Sequence, residues 1–160
     1  MFDWFSFTYT PVAAATPPDA IDLLKADHDS IKELFDRFKK ARNRRSKAKI
    51  ASQAITELKI HAALEEEIFR PALRRRVGKD VMNEAGEDHH VAKLLIAELE
   101  GMDRRSDHFD AKFNFLAENV RQHIQEEESE ILPKAQHLDI DLIKLGQRML
   151  RRREQLLARA

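Results

Sequence analysis

The sequence predicts an all-α protein: an antiparallel up-down four-helix bundle with an N-terminal arm and an additional C-terminal helix. Hydrophobic residues make up 42% and charged residues 35% of the 160 residues, with only four Gly and five Pro. This balance is typical of long amphipathic helices. Apolar residues recur with helical spacing in five successive segments, and beyond the N-terminal arm no stretch alternates as a strand would. A phrase of eleven residues in the second segment also returns in the fourth.

Residues 1–18 form a separate segment that is rich in aromatic side chains. No Lys or Arg precedes its apolar part and Asp3 lies within it, so we do not interpret the Ala run at 13–15 as a signal-peptide cleavage site. We predict a non-helical arm that docks on the bundle, and a protein that stays in the cytoplasm. The docking side chains would be those of Phe2, Trp4, Phe5, Phe7 and Tyr9.

The first two helices follow from their apolar spacing and from the residues at their ends. Asp19 is a suitable N-cap for helix one, which ends near residue 40. A polar turn at residues 42–47 follows, and helix two runs from Ser46 or Lys47 to Val77. Pro71 lies inside helix two and should kink it or end its regular part.

The remaining helices are predicted in the same way. Residues 78–80, Gly-Lys-Asp, form a break, and helix three runs from Val81 to about Met102. Ser106 or Asp107 caps helix four, which meets a proline as helix two does, and residues 140–157 form a fifth amphipathic helix. The chain is thus divided into an arm at 1–18, a bundle at 19–137 and a C-terminal helix packed on it at 138–160.

The repeated phrase reads H-A-A-L-E-E-E-I-F-R-P at 61–71 and H-I-Q-E-E-E-S-E-I-L-P at 123–133. Four residues of an α-helix turn through ~400°, so each His shares a helix face with the Glu four residues later. The pair Asp27-His28 recurs as Asp88-His89 at nearly the same offset. The two helix hairpins therefore look like two copies of one unit, and the repeat selects His89 over His90 as the residue that faces inward.

Each of the four bundle helices thus carries one His at a similar level, and two helices add a Glu one turn later. A single His is usually an ordinary core or surface residue, and runs of Glu usually form a solvated helix face. Neither interpretation explains why Glu65 and Glu127 fall on the histidine face, where a buried carboxylate is costly unless it is paired or bound to metal. We predict that six residues converge on metal: His28, His61, Glu65, His89, His123 and Glu127.

The number and kind of these ligands suit two metal ions better than one. The chain has no Cys, so any metal must be held by nitrogen and oxygen atoms, whereas structural zinc sites usually contain Cys. Two octahedral ions offer roughly 12 coordination positions. Four His, two bridging carboxylates and a shared oxo or hydroxo group fill most of them and leave about two for a small ligand.

These residues together resemble a hemerythrin-like HHE cation-binding domain over roughly residues 19–137. The resemblance rests on D-H at 27–28, the phrase at 61–71, E-D-H-H-V-A-K-L-L at 87–95 and H-I-Q-E-E-E at 123–128. It implies a four-helix bundle around an oxygen-bridged, non-haem di-iron centre, with the four His as terminal ligands and the two Glu as bridges. Glu128 is the alternative bridge, because some members of the family space this carboxylate by five residues.

The chain departs from the oxygen-carrying hemerythrins at Lys93, where those proteins have a fifth His. Either four His suffice, or His90 or another group completes the site. Reversible oxygen carriage is therefore disfavoured, and sensing, redox defence or iron handling gain weight, with O2, NO or peroxide as the ligand. Enzymatic activity stays open, and Zn or Mn are alternatives to iron.

Three other classes of protein fit the sequence less well. A ferritin-like iron oxidase or store requires Glu-x-x-His on each of two helices, and only residues 87–90 fit that pattern here. A metal-free helical interaction module would use the histidines as ordinary core. A nucleic-acid binder is disfavoured because the net charge is zero and no recognition motif is present. No run of residues reaches the ~20 apolar residues that span a bilayer, so no membrane partner is expected.

Overall fold

The computed structural model describes residues 16–160, so the predicted docking of the aromatic arm lies outside the described residues. Within them the chain forms five long helices and no strand, and the predicted all-α fold class is confirmed. The helices are α1 (Ala20–Lys40), α2 (Arg44–Leu64), α3 (Lys79–Glu100), α4 (Asp107–Glu126) and α5 (Leu142–Arg159).

Side-chain caps explain where the helices begin. Asp19 caps α1 and exchanges hydrogen bonds with Asp22 in a capping box, as expected for that position. Helix α2 begins at Arg44, two residues before Ser46, which was the earlier of its two predicted starts. The Asn43 side chain accepts a hydrogen bond from the Ser46 amide at 2.8 Å and so starts the helix inside the predicted polar turn. The prediction that residues 79–80 form a break was also wrong, since Gly78 is the N-cap and α3 starts at Lys79.

Two π-helical turns extend α2 and α4, and neither was predicted. They span Glu65–Phe69 and Glu127–Ile131, and each leads into a short α-helical turn, Arg70–Leu73 or Leu132–Gln136. In each, the second residue of the short turn is the proline. Proline has no backbone N–H and disrupts the regular hydrogen-bond ladder, so the wide turn lies where a kink was predicted from sequence. Such turns are frequent at functional sites.

The helices form a bundle with α1 packed along α2 and α3 packed along α4. Helix α5 lies against α1 and α2. Its buried face comprises Leu145, Gly146 and Met149. A Cβ atom at Gly146 would lie 2.9 Å from the Pro18 carbonyl oxygen and 3.0 Å from the Ala20 nitrogen, so glycine is what allows α5 to approach the start of α1.

The core consists of two apolar clusters with a polar layer between them. The first cluster contains the packed rings of Phe35, Phe38, Phe109 and Phe113. It lies at the end of the bundle where the chain turns from α1 into α2. The second contains Leu73, Leu132, Leu145 and Met149, among others, at the opposite end. The four predicted ligand histidines lie between the clusters, so apolar packing on both sides fixes the level of this layer. No helix within residues 16–160 is long and apolar enough to cross a membrane.

Candidate metal centre

Four helices each place one histidine in the polar layer, and the π turns of α2 and α4 begin with its two carboxylates. All six residues are buried although they are polar: the exposed fractions are 0% for His28, 1% for Glu65 and 2% for Glu127, and 6–8% for the other three histidines. The helical spacing that buries Leu24 and Ile31 buries His28 between them. The structure thus brings together all six residues that the sequence singled out, namely His28, His61, Glu65, His89, His123 and Glu127.

The histidines form two pairs that face each other across the carboxylates. His28 and His61 have ring centroids 4.9 Å apart, and His89 and His123 have centroids 4.8 Å apart, in edge-to-face arrangements. Their Nε2 atoms point inward, and those of His89 and His123 are 3.1 Å apart. Each half of the repeat therefore contributes one histidine pair to a single site.

Glu65 lies between the two histidine pairs. Its Oε1 is 2.8 Å from His61 Nε2, and its Oε2 is 2.9 Å from His89 Nε2. Glu127 lies between the pairs as well, with Oε2 at 3.4 Å from His28 Nε2 and 3.5 Å from His123 Nε2. Glu65 therefore has one oxygen toward each pair, which is the arrangement that a carboxylate needs to bridge two metal ions, whereas Glu127 has the same oxygen near both pairs.

Several inward-facing atoms are buried without a hydrogen-bond partner. Among the described residues, these include His28 Nε2, His61 Nε2, Glu65 Oε1 and Glu127 Oε2. His61 Nε2 and Glu65 Oε1 lie close together, but their geometry is not that of a hydrogen bond. Leaving buried polar atoms unpaired is costly, and native structures normally satisfy them. These are also the atoms that would bind a metal ion. They divide into two groups within which the ligand atoms lie within 4.8 Å of one another: His28, His61, Glu65 and Glu127, and Glu65, His89 and His123. The donor set therefore fits metal.

Each histidine is held from behind by a carboxylate at Nδ1. Asp27 lies 3.2 Å from His61 Nδ1, and Asp88 lies 3.3 Å from His123 Nδ1. Glu128 is 2.8 Å from His28 Nδ1, and Glu66 is 3.3 Å from His89 Nδ1. An N–H donated from Nδ1 fixes the ring and leaves the Nε2 lone pair free for metal, which is the usual outer support of a metal-bound histidine.

Three cations complete the surroundings of the site, and they break its two-fold symmetry. Arg153 of α5 contacts both Asp27 oxygens at 2.5 Å. Lys93 Nζ lies 2.6 Å from Glu66. Arg70 Nη2 donates to the Ala85 carbonyl at 2.9 Å and lies 3.7 Å from Glu65 Oε2. Each cation acts on a different carboxylate of the site.

Without metal, neighbouring charges and burial shift the pKa values of the site's histidines and carboxylates. Burial lowers the pKa of His61, but the Glu65 carboxylate and the hydrogen bond with Asp27 outweigh it and raise the pKa to about 10. Burial would raise the pKa of Glu65, but His61 and His89 hold it well below its usual range. Burial, with repulsion from Glu65, raises the pKa of Glu127. Protons thus occupy the place where metal would bind.

The two alternative ligands, His90 and Glu128, lie outside the cluster. His90 is exposed on α3. Glu128 is half-buried and supports His28 at Nδ1, so the structure places Glu127 between the histidine pairs instead of Glu128. Lys93, at the position of the missing fifth histidine, is exposed and pairs with Glu66.

Sequence reasoning did not identify the supporting residues Asp27, Asp88 and Glu66, nor the cations behind them. The signal for the first two was present, because each aspartate directly precedes a predicted ligand in the repeated Asp-His pair. Arg153 had no such signal, since only the docking of α5 brings it to Asp27 across 126 residues of sequence.

Comparisons with known proteins agree with this fold and geometry. A family model described as the hemerythrin HHE cation-binding domain matches residues 19–135. A crystal structure of a hemerythrin HHE cation-binding domain-containing protein from Mycobacterium kansasii is similar to the chain with a TM-score of 0.75 and 24% identity, covering 87% of both chains. A protein named DNA nickase from a Nostoc strain is 24% identical over 108 residues, which are 68% of this chain but only 31% of that protein.

Proposed function

The chain belongs to the hemerythrin HHE cation-binding domain family, and from this premise we propose that it binds two iron ions and presents them to a small ligand such as O2, NO or peroxide. An oxo or hydroxo group would be shared between the ions, and the Glu65 and Glu127 carboxylates would bridge them. The terminal ligands would be His28, His61, His89 and His123.

The position of Glu65 is the observation that carries the proposal. One of its oxygens lies 2.8 Å from His61 and the other lies 2.9 Å from His89, which belong to different histidine pairs. A single metal ion would use one pair and leave the other pair buried without a partner. Two ions satisfy both pairs and the carboxylates between them.

The chain's own residues prepare this site in definite ways. Asp27, Asp88, Glu66 and Glu128 accept the Nδ1–H groups and so keep each Nε2 available. The apolar clusters exclude bulk water from the two ends of the polar layer. Bound iron would supply electron-transfer chemistry and open positions for the ligand.

The position of Lys93 favours sensing, redox defence or iron handling over oxygen carriage. Lys93 is exposed and its ammonium group pairs with Glu66, so it does not supply the fifth imidazole of an oxygen carrier. The metal would then have an additional position for a ligand or a co-reactant. Nitrogen and oxygen ligands also accept zinc or manganese, so the identity of the metal is part of the test.

The test is metal analysis of protein produced in iron-rich medium. We expect about two irons per chain, given the donor count above, and near-ultraviolet charge-transfer bands that change on adding peroxide, NO or O2. Glu65→Ala should lose metal, and His123→Ala should bind less metal than the unchanged chain. His108→Ala and His137→Ala, which change exposed histidines, should keep it. A folded, colourless protein without metal would support the alternative of a helical interaction module, and equal behaviour of all four variants would refute the ligand assignment.

A further inference from the structure

Helix α5 supplies none of the six predicted metal ligands, yet it contacts the surroundings of the candidate metal centre. Arg153 of this helix contacts both carboxylate oxygens of Asp27 at 2.5 Å. Asp27 in turn lies 3.2 Å from Nδ1 of His61. A chain of three side chains therefore joins α5 to one of the imidazoles that would bind metal.

One oxygen of Asp27 connects the arginine to the imidazole. Oδ2 of Asp27 lies 2.5 Å from Arg153 Nη2 and 3.2 Å from His61 Nδ1. The side chain of Asp27 is only 12% exposed, so water screens its charge little. The opposite ring nitrogen, His61 Nε2, lies 2.8 Å from Glu65 Oε1 on the metal side. The charge of Asp27 therefore acts on the same ring that would hold the metal.

Contacts along α5 fix the place of Arg153. Gly146 lets the helix approach the start of α1. Arg152 forms a fork with Glu67, with Nε 2.7 Å from Oε2 and Nη2 3.1 Å from Oε1. Glu67 lies in the π turn of α2, whereas the repeat has the uncharged Ser129 at the equivalent position of α4. The fork thus favours docking of α5 on the side of the bundle where Arg153 meets Asp27.

The other half of the repeat has the same aspartate in a different electrostatic environment. Asp88 corresponds to Asp27 there, and it lies 3.3 Å from Nδ1 of His123. The side chain of Asp88 is 35% exposed, and α5 packs on α1 and α2 instead. Water therefore screens the charge of Asp88, whereas an arginine balances the charge of Asp27.

The arginine should change how strongly His61 donates to a metal. A carboxylate at Nδ1 makes a metal-bound imidazole more basic, because its negative charge attracts the Nδ1 proton. A cation that shares the carboxylate offsets this effect, so the imidazole gives less electron density to the metal. A positive charge near the metal also opposes the higher oxidation state. Both effects favour the lower oxidation state.

We propose that Arg153 is a positioning residue of the metal centre, which acts through Asp27 and His61 to stabilise iron(II) relative to iron(III). It orients the carboxylate behind the ring and balances its charge. This inference rests on the proposed function, because it concerns the iron that the centre would bind. Helix α5 thereby belongs to the centre although it supplies no ligand.

Redox titration of the iron-loaded, full-length chain tests this role. Dithionite, with redox mediators, supplies one electron for each iron(III) that becomes iron(II), and the charge-transfer bands measure the ratio. Arg153→Gln should shift this equilibrium toward iron(III) by about tenfold, which is about 59 mV for one electron. Arg153→Lys keeps the charge and should restore most of the shift.

Arg152→Gln is the matched control. It removes the neighbouring positive charge and an ion pair between the same helix and the bundle, but its partner Glu67 is 46% exposed and touches no histidine. The equilibrium should therefore change by less than about twofold. A contribution of Arg153 that came only from docking α5 would appear in both variants.

Two further measurements follow the path through Asp27. In the Asp27→Asn chain, Arg153→Gln should shift the equilibrium by about threefold or less, because the carboxylate on which the arginine acts is absent. In the zinc-loaded chain, which has no redox chemistry of its own, the NMR signal of the His61 Nδ1 proton should move downfield in Arg153→Gln. It should stay in place in Arg152→Gln.

The outcomes separate this inference from the proposed function. Equal equilibria in Arg153→Gln and Arg152→Gln, in chains that hold iron, overturn the role of Arg153 and leave the proposed metal centre standing. A shifted equilibrium with an unmoved His61 signal would mean that the arginine acts by its charge alone, which overturns the path through Asp27. Failure of the unchanged chain to take up iron refutes the proposed function and this inference with it.

Discussion

At the scale of single residues, the candidate centre depends on which nitrogen of each imidazole carries the proton. A neutral histidine has one donor and one acceptor nitrogen. A carboxylate lies within 2.8–3.3 Å of Nδ1 in all four rings, so in a metal-loaded site Nδ1 would be the donor and the inward-facing Nε2 would be the metal ligand. Two of these carboxylates, Glu66 and Glu128, directly follow the two inner glutamates, so adjacent residues of one helix serve the inner and the outer layer.

The role of the carboxylates behind the histidines can be tested at Glu66, which lies at Nδ1 of His89. Glu66→Gln removes the charge that holds the Nδ1–H of His89 and pairs with Lys93. Loss of such support typically lowers metal affinity about 10- to 100-fold, which competition with a chelator measures. Glu67→Gln is the matched control, because the neighbouring Glu67 pairs with Arg152 at the surface and touches no histidine. Equal losses in the two variants would show a general charge effect.

The shifted pKa values of the metal-free site predict how the stability of the folded chain depends on pH. The pKa of His61 rises from 6.5 to about 10 on folding, so the stabilisation is complete below about pH 6.5 and is lost as pH rises through 10. The pKa of Glu65 falls below 4.5, so its stabilisation is present above pH 4.5 and is lost in acid. The metal-free chain should be most stable between these limits.

Urea unfolding measures this effect. Between pH 7 and pH 10 the metal-free chain should lose about 2–4 kcal/mol of unfolding free energy, since each pKa unit is worth roughly 1.4 kcal/mol. The metal-loaded chain should not show this loss, because metal holds His61 deprotonated, and its metal affinity should fall as pH decreases. A metal-free chain equally stable at both pH values would contradict the proton-holding description.

At the scale of helices, the sequence predicted which segments are helical better than where they begin and change. Asp19 was recognised as a cap because its side chain alone identifies it. The start of α2 was misplaced because charge made residues 42–47 look like a turn, whereas one Asn43 hydrogen bond decides the boundary. The π turns could not be predicted from spacing, since Glu65 and Glu127 share a face with their histidines in a regular helix as well.

Replacing glycine by alanine should change the free energy of unfolding in opposite directions at Gly146 of α5 and Gly86 of α3. Gly146→Ala should lower the unfolding free energy by about 1–3 kcal/mol, the usual cost of overpacking, because the new Cβ meets backbone atoms of Pro18 and Ala20 that cannot turn away. Gly86→Ala, inside α3 with its nearest neighbour at 3.9 Å, should raise it by about 0.5–1 kcal/mol. Urea unfolding of both variants measures these changes. A neutral Gly146→Ala would mean that α5 does not dock as described.

At the scale of the whole molecule, the repeat explains what the sequence could and could not predict. Matching offsets in two hairpins identified all six residues of the polar layer, because symmetry relates positions without any knowledge of distances. The features that break the symmetry have no counterpart in the other half, so the repeat could not predict them. They include the Arg153–Asp27 contact of α5 and the Lys93–Glu66 pair.

The same asymmetry predicts that two metal ions bind in order. One half of the centre gathers four ligand residues, His28, His61, Glu65 and Glu127, whereas the other gathers three, Glu65, His89 and His123. The four-residue half also contains His28, which is 0% exposed. More ligands and less competing water favour tighter binding, so the first metal equivalent should occupy the four-residue half.

Two single variants test this order. His89→Ala removes a ligand of the three-residue half and should leave about one metal per chain, because four ligands suffice for one ion. His28→Ala removes a ligand of the four-residue half and should leave the chain with less than one. Anaerobic titration with iron(II), followed by metal analysis after gel filtration, measures both stoichiometries. Equal retention in the two variants would mean that the halves bind metal equivalently and that the broken symmetry has no effect on loading.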